Sequence, residues 1–276
     1  MTLAEALRAA IPRLRAADVP DAPRDARILL AHATGIAPDR LTLHLPDTIS
    51  PQAVLRFDAA VTARANRQPL SQITGQRLFW GRSFRVTPDV LDPRPETEIL
   101  VAAALEKPFA QLLDLGTGSG AILLSCLAEC PLATGLGTDI SEAALAVARQ
   151  NAADLGLSHR ARFRLSDWCG SVAGRFDLIL SNPPYLAAAE MAGLSPEVHD
   201  WEPHLALTPG GDGLDAYRRI AREAPDHMTP GGRLMVEIGP TQGQAVAALF
   251  AAAGFLVVGL RQDLDGRDRV VEALKP

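Results

Sequence analysis

The chain has 276 residues, 47% hydrophobic and 21% charged, with a formal net charge of −5. That length exceeds one average domain, and the composition suits a chain with a sizeable buried core. The acidic balance argues against a protein that grips nucleic acid through phosphates, and no apolar run approaches the length of a membrane span. Met1-Thr2-Leu3-Ala4-Glu5 has no basic segment leading into an apolar core, so no signal peptide is expected. Cys126, Cys130 and Cys169 are few and odd in number, which predicts neither a disulfide framework nor zinc and fits a reducing, cytoplasmic setting. Charge is uneven: residues 1–75 hold 9 Arg against 7 Asp and Glu, and the rest of the chain is acidic.

Residues 1–75 read as a helical bundle. Leu3, Leu7, Ala10 and Leu14 recur at helical spacing. Pro23 opens a second helix and Gly35 closes it. Ser50-Pro51 is an N-cap with a first-turn proline, followed by an apolar face of Val54, Phe57 and Val61. The Arg-rich face of residues 56–67 reads as solvated. Residues 76–93 change character: Phe79-Trp80-Gly81 and Ser83-Phe84-Arg85-Val86 predict a hairpin linking two domains. A helix is expected from Arg94 to about Glu106. From Gln111 strands and helices alternate, with strands at Leu112–Leu115, Ala133–Asp139, Arg162–Leu165, Phe176–Ser181 and Arg233–Ile238. A closing antiparallel pair, Leu256–Leu260 and Arg269–Ala273, brackets the turn Asp265-Gly266. This alternation predicts an α/β domain over residues 94–276, a mostly parallel sheet covered by helices.

Asp114-Leu115-Gly116-Thr117-Gly118-Ser119-Gly120-Ala121 follows a strand and opens a helix, so its backbone N–H groups can approach a ligand closely. The turn also satisfies the loose dinucleotide pattern. Asp139 ends the next strand about 20 residues on, where a carboxylate can accept from ribose hydroxyls. Asp167 and Trp168 follow the third strand. Asp167 is placed to accept from a base amino group and Trp168 to wall the base; the plainer reading is a loop cap and a core aromatic.

The most informative segment ends the fourth strand: Ser181-Asn182-Pro183-Pro184-Tyr185. Asn182 offers one acceptor oxygen and two donors. Pro183 and Pro184 lack N–H groups and hold a fixed φ, so nearby carbonyls are free and rigidly aimed. Tyr185 offers a flat face for a planar group. Such a set suits methyl transfer from a sulfonium to an amide or amine nitrogen: Asn182 Oδ1 and the Pro183 carbonyl would accept its two N–H bonds and orient it in line.

With these motifs in view the chain resembles the peptide-chain release factor glutamine methyltransferases, over nearly its whole length. The resemblance rests on the helical N-terminal segment, the Phe79–Val86 hairpin and Pro93-Arg94-Pro95-Glu96-Thr97-Glu98. It also takes in the glycine turn, Asn182-Pro183-Pro184-Tyr185, Glu202-Pro203, Gly211-Asp212-Gly213-Leu214 and Glu237-Ile238-Gly239. It implies a Rossmann-like class I methyltransferase sheet, S-adenosylmethionine as cofactor, and methylation of the Gln side-chain amide in the Gly-Gly-Gln loop of release factors. It further implies cofactor contacts from Gly116, Thr117, Gly118, Ser119, Gly120, Asp139, Trp168 and Asn182, to which the position of Asp167 after the third strand adds a contact with the base. Asn182, Pro183, Pro184 and Tyr185 would hold the substrate, with Asn182, Pro183 and Tyr185 catalytic. Arg94–Glu98 would line the methionine end of the cofactor, and residues 1–75 would recognise the protein substrate. No membrane and no direct nucleic-acid partner is expected.

Asn-Pro-Pro-Tyr is shared with adenine-N6 and guanine-N2 methyltransferases, and a sister family methylates a ribosomal-protein glutamine; both stand as alternatives. A nicotinamide dehydrogenase would explain Gly116–Ala121 and Asp139 but leaves Asn182–Tyr185 without a role. A non-catalytic cofactor-binding subunit would not need an intact Asn182–Tyr185. His199-Asp200-Trp201-Glu202-Pro203-His204 carries ligand-type side chains but reads as a loop over the site, and no metal is expected. Cys126 and Cys130 are expected to pack inward. Asp263, Asp265 and Asp268 are expected to be solvated.

Overall fold

A computed structural model describes all 276 residues, which divide into two compact units: Met1–Gln76 with Ser195–Trp201, and Arg77–Leu194 with Glu202–Pro276. No helix is long and apolar enough to cross a membrane.

The first unit is built from α1 (Leu3–Ala16), α2 (Ala22–Thr34), α3 (Pro51–Ala65) and the short α4 (Leu70–Thr74). Local chemistry sets their ends. Thr2 and Glu5 form a reciprocal capping box on α1. The Gly35 N–H closes α2 onto the Ala31 carbonyl from a left-handed φ of 74°, which glycine adopts without a Cβ clash. The Ser50 hydroxyl accepts from the Ala53 N–H at the start of α3. The apolar faces of these helices meet in one core containing Leu14, Leu29, Leu30, Phe57 and Val61.

Ser195–Trp201, more than a hundred residues downstream, completes this unit. Its single helical turn Pro196–His199 carries Glu197. Glu197 accepts from Arg64 Nη2 at 2.9 Å, Arg67 Nε at 2.7 Å and Arg67 Nη2 at 2.6 Å. Arg64 also donates to Asp25 at 2.7 Å, and Gln72 Nε2 donates to the Trp201 carbonyl at 2.8 Å. The arginines of residues 56–67 are therefore not a uniformly solvated face: Arg64 is buried and ion-paired.

The second unit opens with a hairpin, β1 (Gln76–Phe79) and β2 (Arg82–Arg85). Its seven-stranded sheet is formed by β3 (Gln111–Leu115), β4 (Thr134–Asp139), β5 (Ala161–Leu165), β6 (Phe176–Ser181), β7 (Met228–Glu237), β8 (Leu256–Gln262) and β9 (Asp268–Leu274). The order is β5-β4-β3-β6-β7-β9-β8, parallel except where β9 pairs antiparallel with β7 and β8. This is the expected α/β architecture. The covering helices are α5 (Glu98–Leu105), α6 (Ala121–Glu129), α7 (Glu142–Asp154), α8 (Asp215–Glu223) and α9 (Gly243–Ala252). Strands β3 and β6 are buried apolar runs, as strands covered on both faces must be. Cys126 packs inward as expected, while Cys130 is only half-buried.

One expectation is overturned. Asp263 is not solvated: it receives the Arg269 guanidinium at 2.9 Å, and both side chains are largely buried. The turn around Gly266 folds Asp263 back onto the sheet, where the Arg267 and Asp265 N–H groups also reach it.

The Glu197 contact predicts an acid-sensitive step. Burial alone would raise its carboxyl, but hydrogen bonds from Arg67 and Arg64 outweigh burial and hold it at about 2. The unfolded carboxyl, near 4.3, binds protons that the folded one refuses, so this stabilisation is present above the unfolded value and lost as pH falls toward 2. Glu197→Gln should cost about 1.5–3 kcal/mol at pH 7. Denaturant titrations of both proteins should converge as pH drops from about 4.5 to about 2. A difference that does not vary with pH would contradict the account.

Candidate active site

The sheet order places a topological switch point between β3 and β6: the chain runs outward from β3 to β5, then returns to lay β6 against the other side of β3. Ligands bind beyond the carboxyl ends of strands at such a point. Registers Leu115↔Ser181, Leu115↔Thr138 and Asp139↔Leu165 bring four strand ends to one edge. Gly116, Asp139, Asp167 and Asn182 therefore meet although they span 67 positions in sequence.

The glycine turn is held from below. Asp114 is fully buried and accepts from the Thr117 hydroxyl at 2.7 Å, while its Oδ1 has no hydrogen-bond partner. Burial drives its carboxyl up to about 7. The Thr117 N–H donates to the Thr138 carbonyl at 2.8 Å. Gly116 and Gly118 have φ of 70° and 53°, and a Cβ on either would meet nothing within 4 Å. Both line the cleft, so this left-handed backbone is open to a ligand. Thr117, Ser119 and Gly120 are buried behind the turn and do not line the cleft.

Asp139 closes the far side of the turn. Its carboxylate accepts from the Gly118 N–H and the Ser141 N–H, each at 2.9 Å. Burial raises its pKa, and these backbone donors oppose the rise. Two accepted bonds leave further lone pairs for a ligand hydroxyl. Trp168 has φ 53°, unusual for a bulky residue, and the Ser166 hydroxyl donates to its carbonyl at 2.8 Å. Asp167 pairs with Arg219 at 2.7 Å, a partner that sequence reasoning missed.

Together these residues line a cleft of about 440 Å³, within the usual range for a small-molecule site. Asn182 and Pro184 line it as well; Pro183 and Tyr185 do not. Pro183 is buried. Tyr185 packs against the core beside β6, and burial pushes its hydroxyl up to about 12. A second groove of about 430 Å³, lined by Arg149, Arg162 and Arg164 beside β5, contains none of the expected residues.

The segment after β6 is braced by residues that the motifs did not single out. The Asn182 side chain donates from Nδ2 to Thr97 Oγ1 at 3.1 Å. Gln242 Nε2 donates to the Tyr185 carbonyl at 2.9 Å, while its Oε1 accepts from the Gly239 N–H at 3.0 Å. Gly213 is required sterically, because a Cβ there would clash with the Tyr185 carbonyl oxygen. Arg94 donates to both oxygens of Glu202, at 2.7 and 2.8 Å. Pro93–Glu98, Glu202-Pro203, Gly211–Leu214 and Glu237–Gly239 were visible as motifs, but their partners were not.

Fold and cleft define a methyltransferase domain. Residues 90–195 match the methyltransferase small domain model, and residues 5–75 match the PrmC N-terminal domain model. A methyltransferase from Pyrococcus furiosus superposes with TM-score 0.54 at 18% identity, over 70% of this chain and 88% of its own. A 16S rRNA N2 methyltransferase of T. thermophilus, solved with AdoMet and guanosine, gives TM-score 0.53 at 20% identity, over 73% and 50%. At these identities the likeness shows the fold. Sequence relatives are far nearer. Release factor glutamine methyltransferase of Cereibacter sphaeroides is 64% identical over 100% of this chain and 99% of its own length. Proteins of the same name from Rhodospirillum rubrum (44%, over 95% and 81%) and Caulobacter vibrioides (44%, over 100% and 97%) also align. The chain belongs to the release factor glutamine methyltransferase family.

Burial makes the second unit sensitive to pH near neutrality. Burial lifts Glu202 to about 7 despite the adjacent Arg94 guanidinium, with Asp92 adding to the rise and Arg77 opposing it. A folded pKa above the unfolded one gives stability that is complete below the unfolded value and is lost as pH rises to the folded value. Glu202→Gln should therefore flatten the decline of thermal midpoint between about pH 4.5 and 7. Equal slopes for the two proteins would refute the assignment.

Proposed function

We propose that this protein transfers a methyl group from S-adenosylmethionine to the side-chain amide nitrogen of the Gln in the Gly-Gly-Gln loop of peptide chain release factors. The carrying observation is that Asn182 lines the same cleft as Gly116, Gly118 and Asp139, with its amide nitrogen already engaged by Thr97. The family name of the relatives supports the protein substrate, and the cytoplasm is where such a substrate is met.

The cleft fits the cofactor. Gly116 and Gly118 present backbone where a Cβ would protrude, and Asp139 beside them keeps lone pairs beyond the two it gives to the Gly118 and Ser141 N–H groups. Asp139 would hold the ribose hydroxyls, Trp168 would wall the adenine, and Asp167, paired with Arg219, would face its amino group. When bound, S-adenosylmethionine supplies an electrophilic methyl on a sulfonium, which departs as a neutral thioether.

The residues of this chain do the positioning. An amide nitrogen is a weak nucleophile because its lone pair is delocalised. Asn182 Oδ1 and the Pro183 carbonyl accept its two N–H bonds, directing the lone pair along the line of transfer and enriching the nitrogen in electron density. Preorganised acceptors cost no reorganisation during the step. The nitrogen sheds its proton after the new bond forms, so no strong base is needed. Tyr185, packed against the core beside β6, anchors the segment that carries Asn182 and Pro183, and residues 1–75 recognise the release factor.

Single-turnover methylation with labelled S-adenosylmethionine, mass-mapped to the Gly-Gly-Gln peptide, tests this reading. Asn182→Ala should cut the rate by about 10²–10³ with little change in cofactor affinity. Asp139→Ala should weaken cofactor binding by about 1.5–3 kcal/mol. Methyl appearing only on nucleic acid or ribosomal protein, or a wild-type rate in Asn182→Ala, would overturn it.

A further inference from the structure

The reading above gives Asn182 Oδ1 a task but does not say why Oδ1, rather than Nδ2, faces the substrate. An Asn side chain has two nearly isosteric orientations, and only one presents an acceptor. Turned by half a rotation, Asn182 would aim N–H groups at the N–H groups of the reacting amide.

The choice is made behind Asn182. Thr97 ends the single 3₁₀ turn Pro95–Thr97 that precedes α5, and its side chain is buried. Its hydroxyl accepts from Asn182 Nδ2 at 3.1 Å, across 85 residues of sequence. With Nδ2 held by Thr97, Oδ1 is the end left for the cleft, which Asn182 lines and Thr97 does not.

We propose that Thr97 is a positioning residue that locks the Asn182 amide with Oδ1 turned to the substrate nitrogen. The inference rests on the role given to Asn182 in the proposed function. Thr97 is buried and does not line the cleft, so its action runs through Asn182, and the expectation that all of Arg94–Glu98 faces the cofactor does not extend to it. Its hydroxyl, not its shape, is the functional part.

That distinction sets the test. Thr97→Val keeps the shape and removes the hydroxyl, whereas Thr97→Ser keeps the hydroxyl and removes a methyl. If Thr97 orients Asn182, single-turnover methylation of a release factor should fall about tenfold or more in Thr97→Val, the scale of one lost hydrogen bond near the reacting atoms. Thr97→Ser should stay within about threefold of wild type, and cofactor affinity should hold in both. A role in packing alone predicts the reverse ranking, with Val near wild type and Ser impaired, and would overturn the inference. Should Thr97→Val fail to fold, the comparison moves to Thr97→Ser against Thr97→Ala: the lock requires Ser to exceed Ala clearly, and equal rates contradict it. In an Asn182→Ala background, Thr97→Val should lower the rate no further; an additional tenfold drop would show that Thr97 acts elsewhere. The same assays separate the two claims. A wild-type rate in Asn182→Ala removes the role of Asn182 and this inference with it. An impaired Asn182→Ala beside a wild-type Thr97→Val removes the inference alone.

Discussion

The site depends on the parallel register of β3 with β6. Leu115 pairs with Ser181, and the Ser181 hydroxyl donates to the Leu115 carbonyl at 2.7 Å where both strands end. That contact is buried, so the two loops beyond it begin from fixed, adjacent points. One becomes the glycine turn and the other begins with Asn182. Side chains alternate along a strand, so a register slip of one residue would exchange the two faces of β6 and misplace everything beyond Ser181. The apolar runs of β3 and β6 enforce the register, because nearly every position is covered on both faces.

Around this junction the protein buries more ionisable groups than a core needs. Burial brings Asp114, Glu202 and Glu237 each to about 7. Carboxyls in such surroundings cost stability, and each lies beneath or beside a piece of the site. Asp114 supports the glycine turn through Thr117, Glu202 holds Arg94, and Glu237 is buried at the carboxyl end of β7. The acceptors of the site are thus aimed by a second layer of polar groups before any ligand arrives, which is the condition under which electrostatic positioning accelerates a reaction.

The sequence shows some of this and hides the rest for a physical reason. The alternation of apolar strands with helices, the glycines after β3 and the Asn-Pro-Pro-Tyr after β6 are local patterns, and local patterns survive in one dimension. The order of the strands, and with it the switch point, is not contained in that alternation and appears only in the folded sheet. The braces are pairings across long stretches of chain: Asn182 with Thr97, Tyr185 with Gln242, Glu197 with Arg64 and Arg67. No periodicity connects such partners. The same blindness made Asp263 look like one more solvated aspartate beside a turn glycine, when Arg269 folds onto it. It also hid that Ser195–Trp201 joins the helical unit, since its only sequence mark is a proline-led turn bearing one acidic residue.

The central claim is that Asn182 at the end of β6 receives the substrate amide beside a nucleoside held by Asp139 and the glycine turn. The most direct test is a crystal structure with S-adenosylhomocysteine and a peptide containing Gly-Gly-Gln. The account requires the ribose hydroxyls on Asp139, the Gln side-chain nitrogen within hydrogen-bond distance of Asn182 Oδ1 and the Pro183 carbonyl, and that nitrogen facing the cofactor sulfur. A glutamine side chain bound away from Asn182, or approaching Nδ2 instead of Oδ1, would contradict it.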